Sequence, residues 1–254
     1  MNKFEQILRV KLEDLRDEDY GDFVFRGVPG IAREKILGVR VPEVRNVTDY
    51  ALGEIFGKKS WNGVEVERGK ADGRELYREM NNFLEDLPHF YREYNHAHVE
   101  IIYQVNDFDE CVRLLDKFLP YVDNWEISDG INPKIFKKHP EEVLMLARRW
   151  MRSEHEFTQR VGILMMMKHF LDERFLSDFL EEVVEAAGES EKYYVQMMVA
   201  WYLATALSKQ WEAAIEILTE ERLPILVHNK AISKAVESRR ISAEQKDFLR
   251  GLRR

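Results

Sequence analysis

In the stretch YVDNWEISDGI, residues 121–131, Trp125 and Asp129 stand four apart. A helix here would put an aromatic ring and a carboxylate on one face, one turn apart. A carboxylate so placed can stabilise a developing cation and orient a water molecule, and an aromatic face attracts positive charge. The ordinary reading is that Trp125 fills a helix interface and that Asp129, in an S-D-G run, caps a helix or makes a turn. Glu126 and Asp129 do not make a sugar-hydrolysing pair, because they are three apart on one helix and no opposing carboxylate can be named. Three further elements stand out: TQR at 158–160, EKYYVQMMVAW at 191–201 and the basic C-terminal tail. Trp125, Arg160 and Trp201 follow one another at intervals of 35 and 41 residues. In a helical repeat of that period, equivalent helices point such residues into one concave surface. Taken singly, Trp201 also fits a core position and Arg160 an ion pair.

The elements that must position these residues are helices. After residue 73, FDECVRLLDKFLPYV, PEEVLMLARRWM, EFTQRVGILMMMKHF, RFLSDFLEEVVEAA, YYVQMMVAWYLATAL, WEAAIEIL and SAEQKDFLRGLRR fit a 3.6-residue period better than strand alternation. Their breaks are short and punctuated by Pro133, Pro140, Gly188 after an acidic helix, and Pro224. Helices recur in pairs of roughly 35–40 residues without a repeated sequence word, which favours a pairwise-stacked solenoid over a bundle. The methionines at 165–167 and 197–198 read as adaptable core packing. LGVRVPEVRNVTDYA turns through Pro42 into a helix, whereas FGKKSWNGVEVERGKADG is polar and glycine-rich, like a loop or short hairpin. The expectation is one repeat domain over 1–254, with atypical helices and a loop at 1–73 capping the repeats.

At 254 residues with 45% hydrophobic content, the chain can bury a substantial core. Cys111 is the only cysteine, so no intramolecular disulfide forms, and the seven histidines, H-x-H at 96–98 included, show no metal spacing. The charged N-terminus lacks a signal-peptide core and VGILMMM at 161–167 is too short to span a membrane, which predicts a cytoplasmic protein. A net charge of -8 argues against a uniformly basic nucleic-acid binder. The charge is uneven, however: local balances are +3 over 133–174, -7 over 175–220 and +5 over 221–254. A basic surface can therefore coexist with an acidic back, although solvated helix faces explain the pattern as simply.

With WEISDGI, FTQRVGIL and YYVQMMVAW in this order and spacing, the chain from LGVRVPEVR onward resembles the bacterial DNA alkylation repair enzymes with HEAT-like repeats, the AlkD-like glycosylase family. The resemblance implies an all-α fold, a right-handed superhelical stack of HEAT-like antiparallel helix pairs (an α-solenoid) that holds duplex DNA in a basic groove. It places Trp125, Asp129 and Trp201 at the active-site aromatic, acid and second aromatic, and Arg160 on a backbone phosphate. It implies excision of a cationic alkylated purine, N3-methyladenine or N7-methylguanine, read from the backbone side without a closed pocket and without metal or cofactor. Lys134, Lys137, Lys138, Arg148, Arg149, Lys230 and Lys234 are the further candidates for phosphate contacts. The expected partner is duplex DNA containing alkylated bases, with no membrane, and the protein is expected to be a monomer. One departure is that the second tryptophan helix continues WYLATAL, with Ala204 and Thr205 where the family commonly carries charged residues. The competing reading is a non-catalytic helical-repeat module that binds DNA or protein through the same concavity.

Overall fold

A computed structural model describes residues 3–56 and 80–254. The glycine-rich stretch of 57–73, read above as a loop or hairpin, lies outside the described residues. Among the described residues the regular structure is entirely helical, and the chain divides into two compact units, Met1–His139 and Pro140–Arg254.

In the first unit, α1 (Lys3–Asp14), α2 (Glu18–Gly27) and α3 (Val41–Phe56) are followed by a helical segment at 80–85 and then by α4 (Arg92–Tyr103), α5 (Phe108–Phe118) and α6 (Trp125–Gly130). Polar caps start several of them. The Asp17 side chain accepts the amide of Tyr20 at 2.9 Å to open α2, and Asp107 accepts that of Glu110 at 2.8 Å to open α5. α1 packs on α3, α3 on α4, and α4 on both α5 and α6.

The second unit contains α7 (Pro140–Met151), α8 (Glu156–His169), α9 (Ser177–Glu189), α10 (Tyr193–Lys209), α11 (Trp211–Thr219), α12 (Ile225–Glu237) and α13 (Ala243–Gly251). Gly188, placed after the acidic helix by its sequence, instead lies within α9. α8, α10 and α12 pack successively, while α7, α9, α11 and α13 flank them. The inner helices are therefore covered on most sides. Every residue from Phe157 to Met167 is buried, which accounts for the apolar run VGILMMM. No helix among the described residues is long and apolar enough to cross a membrane.

The repeat period shows in hydrogen bonds between successive helices and their connecting segments. Arg92 reaches Glu126 in the first unit; in the second, Arg148 reaches Glu182, Arg160 reaches Tyr194, Lys209 reaches Asp172 and Arg222 reaches Glu181. These pairs are 34, 34, 34, 37 and 41 residues apart, as stacked helix pairs of that length require.

Candidate functional site

α6 is only six residues long, and a helix of that length is not stable by its own hydrogen bonds. Its neighbours supply what its length does not. The buried Asn124 side chain accepts the amide of Ile127 at 3.1 Å, and the buried Ser128 hydroxyl donates to the Trp125 carbonyl at 3.1 Å. Just beyond the helix, the amide of Asn132 donates to the Tyr103 hydroxyl at 2.8 Å. Ile127 fills the core beneath.

Trp125 and Asp129 share this helix, and both are half-buried. Trp125 packs, with Tyr20, against a cluster of Val24, Val28, Ile31 and Ile36. Tyr20 in turn lies under the Arg40 guanidinium, 4.3 Å from the ring centre. The residues before 40 thus form one wall around the tryptophan.

The other acid of WEISD, Glu126, has a different part. Arg92 donates to it from Nε at 2.7 Å and again from Nη2, a two-point contact. Arg92 Nη1 also donates to Glu93 Oε1 at 3.0 Å and to the Val39 carbonyl at 3.2 Å. Glu93 accepts the amides of Leu37, Gly38 and Val39 at 3.1, 3.1 and 3.2 Å. The side chains of Arg92 and Glu93 are fully buried. Burial pushes the Glu126 carboxyl up, but His96 and Arg92 outweigh it and hold it down to about 2. Of these two, Arg92 is the firm partner: His96 Nε2 stands 3.6 Å from Glu126 Oε1, beyond hydrogen-bond length, and burial lowers the His96 pKa. Glu126 is accordingly a structural anion, ionised throughout the neutral range.

Directly after α6, the 3₁₀ turn Lys134–Lys138 buries Ile135 and Phe136 and leaves Lys134, Lys137 and Lys138 exposed. These three candidate phosphate contacts thus follow Trp125 and Asp129 within the first unit.

Arg160 and Trp201 belong to the second unit. Arg160 is buried on α8, with Nη1 donating to the Tyr194 carbonyl at 2.7 Å, while the amide of Tyr194 donates to Glu156 Oε1 at 2.7 Å. The first turns of α8 and α10 are laced together at Tyr194, which satisfies one of the amides left over at a helix start. Trp201 is half-buried on α10. The Thr205 hydroxyl donates to its carbonyl at 2.9 Å and lies 3.5 Å from Met167 Sδ, while Ala204 is only 7% exposed. Ala204 therefore packs, and a charged residue there would need a buried partner.

The remaining cations differ in availability. Arg148 is half-buried and held by Glu182 at 2.8 and 2.6 Å. Arg149 is exposed, 5.9 Å from the Trp150 ring centre. Lys230 and Lys234 are exposed one turn apart on α12. A cleft of about 900 Å³ in this unit is lined in part by Arg148, Gln159, Glu182 and Lys192; of the candidate site residues only Arg148 lines it.

Arg92 and Glu93 escaped the sequence reading. The signal available was a charged pair at the start of a helix bearing three closely spaced apolar residues, but partners 34 and about 55 residues away leave no local mark.

The fold and these positions define an all-α protein of stacked helix pairs that carries a half-exposed tryptophan and carboxylate on a braced short helix. The chain matches the family described as DNA alkylation repair enzyme over residues 10–235 and belongs to that family. No curated protein matches its sequence.

Proposed function

We propose that this protein is a DNA glycosylase that hydrolyses the N-glycosidic bond of cationic alkylated purines, N3-methyladenine or N7-methylguanine, in duplex DNA. The observation that supports this most is α6, where Trp125 and Asp129 are both half-exposed one turn apart while Glu126 is committed to Arg92. Of the two acids in WEISD, Glu126 is the one bound by the buried Arg92.

A purine alkylated at N3 or N7 carries a positive charge and is already a good leaving group. The protein then has to stabilise the developing oxocarbenium ion and place a water molecule. In this reading the Asp129 carboxylate sits near the deoxyribose and does both. Trp125 and Trp201 offer aromatic surface to the sugar and cationic base, a preference of roughly 0.5–2 kcal/mol over a neutral base. Arg160, held through Nη1 by the Tyr194 carbonyl, is the candidate for a backbone phosphate contact. Lys134, Lys137, Lys138, Arg149, Lys230 and Lys234 supply further phosphate contacts.

A specific observation favours a second reading, a non-catalytic helical-repeat module that binds DNA or protein: Ala204 is packed where the family commonly carries charge. One experiment separates the two. Duplex DNA methylated to contain both lesions is incubated without metal, and released bases are measured for the wild type and Asp129→Asn, with melting and DNA binding followed in parallel. Release by the wild type and a loss of about 100- to 1000-fold in the folded variant is expected. No release by folded wild type, where a control glycosylase works, leaves the binding reading. Equal release by both proteins removes Asp129 from the chemistry.

A further inference from the structure

We infer that Arg92 is a positioning residue for the Trp125 and Asp129 pair, and that it acts through Glu126. This inference rests on the glycosylase reading for its catalytic readout, but its geometric content is independent of that reading.

α6 is a short helix, Trp125–Gly130. Six residues cannot fix their own axis, so the direction in which Trp125 and Asp129 point is set by whatever grips the helix. At 3.6 residues per turn, Asp129 lies about 40° around the axis from Trp125 and Glu126 lies about 60° beyond Asp129. A grip on Glu126 therefore controls rotation of the functional face at close range. The grip is a two-point one, Arg92 Nε and Nη2 on the two carboxylate oxygens, which fixes orientation as well as distance.

The other end of the grip is equally fixed. Arg92 Nη1 bridges Glu93 and the Val39 carbonyl, and Glu93 binds the three amides of residues 37–39. This loop leads on one side to Ile36, which belongs to the cluster under Trp125. The same loop is thus tied to α6 twice, through the ion pairs at Glu126 and through apolar packing at Trp125. Two attachments about 100° apart on one helix leave little freedom to roll.

A purely stabilising ion pair would be a poor use of these groups, because a buried pair is about as costly to desolvate as it is favourable to form. Holding one orientation among several of similar energy is what the fork geometry adds.

Arg92→Lys tests this, since it keeps the charge and replaces the fork by a point contact. Glu126→Gln, at a partly exposed carboxylate, is the milder second variant should the lysine protein fail to fold. In protein labelled with fluorotryptophan, the Trp125 resonance, assigned by its loss in Trp125→Phe, is expected to move or broaden in both variants, while that of Trp150 stays. In base release, kcat is expected to fall about 10- to 100-fold, the scale of a misplacement near 1 Å, with KM for duplex DNA unchanged within about twofold. A folded variant with an unmoved Trp125 resonance overturns the inference, and so does an unchanged kcat. If the wild type releases no base, the glycosylase reading fails on its own and the Trp125 resonance alone decides whether Arg92 sets the orientation.

Discussion

The two stretches that carry the sequence motifs are held by opposite means. In the first unit, α6 is a single short turn and a half whose place is set by directional contacts: a buried arginine, two carboxylates, three loop amides, the Asn124 cap and the Ser128 hydroxyl. In the second, α8 and α10 have 14 and 17 residues and are sheathed in apolar side chains, so Arg160 and Trp201 ride on helices placed by packing. Directional contacts fix angles and are sensitive to charge. Close packing fixes distances and is sensitive to volume. The positioning of a side chain thus has two kinds of weak point in one chain.

Alanine in place of a glycine probes the contrast most strongly. Gly38 has a φ of +84°, and a Cβ there would come 1.9 Å from the Asp17 carbonyl oxygen, in the loop whose amides Glu93 binds. Gly38→Ala is therefore both strained and blocked, and more than about 3 kcal/mol of stability should be lost. Gly162 of α8 is an ordinary helical glycine at a close crossing, where a Cβ would meet Met151 N at 2.5 Å and the Ala147 carbonyl at 2.7 Å. Relief requires α8 and α7 to move apart, and Gly162→Ala should cost about 1–3 kcal/mol. Urea denaturation at fixed pH measures both. A larger loss at Gly162 than at Gly38 would reverse the ranking of the two regions.

The next effect is acid sensitivity concentrated in the first unit. His89 Nε2 and His98 Nδ1 lie 2.9 Å apart, with His98 fully buried against Phe118 and His89 stacked on Phe83. Burial lowers His89 to about 4, and burial together with His89 takes His98 well below its usual 6.5. Both are neutral when folded and gain protons readily when unfolded. Their contribution is present in full above pH 6.5 and is lost as pH falls through 6.5 toward 4. For His89 alone the loss is about 2 kcal/mol at pH 5. Glu126 adds a second window, present above about pH 4.5 and lost toward pH 2. In the second unit, His155 is lowered in the same direction but is only half-buried. Hydrogen exchange at pH 7.5 and pH 5 should therefore show protection lost at Ile101 and Ile102 of α4 before Ile163 and Leu164 of α8. Equal losses in both units would mean that the histidine pair does not limit stability in acid.

How much of this could be read from the sequence follows the same division. The packed helices were legible, because FTQRVGIL and YYVQMMVAW carry an apolar surplus that only a buried helix accommodates. The pair repeat was legible as a length, and the hydrogen bonds at separations of 34–41 residues display it directly. That Trp125 and Asp129 would share a helix face followed from their spacing alone, while the Asn124 cap that starts the helix was seen only in the structure. The roles of Arg92, Glu93 and Glu126 were not. Charged residues normally lie at the surface, and their burial here is possible only through partners supplied by the fold. Arg148 illustrates the converse, as a basic residue suited to phosphate whose partner Glu182 lies 34 residues on.

The smallest predicted effect provides the control for the comparison. Arg222 and Glu181 form an ion pair as well matched in shape as that of Arg92 and Glu126, with Nη1 donating to Oε1 at 2.8 Å and a second contact from Nη2. What differs is the surroundings, since the two side chains are 33% and 44% exposed. Water already solvates both groups, and forming the pair must overcome the entropy of two long side chains, so Arg222→Gln should cost under about 1 kcal/mol. That small cost should shrink further in molar salt, where the screening length is about 3 Å. The corresponding change at Arg92 should be nearly insensitive to salt, because ions do not reach the buried pair. Melting curves of both variants at low and high salt measure this. If Arg222→Gln matched the Arg92 variants in size, the geometry of an ion pair would govern its contribution, and burial could no longer explain why α6 depends on charge.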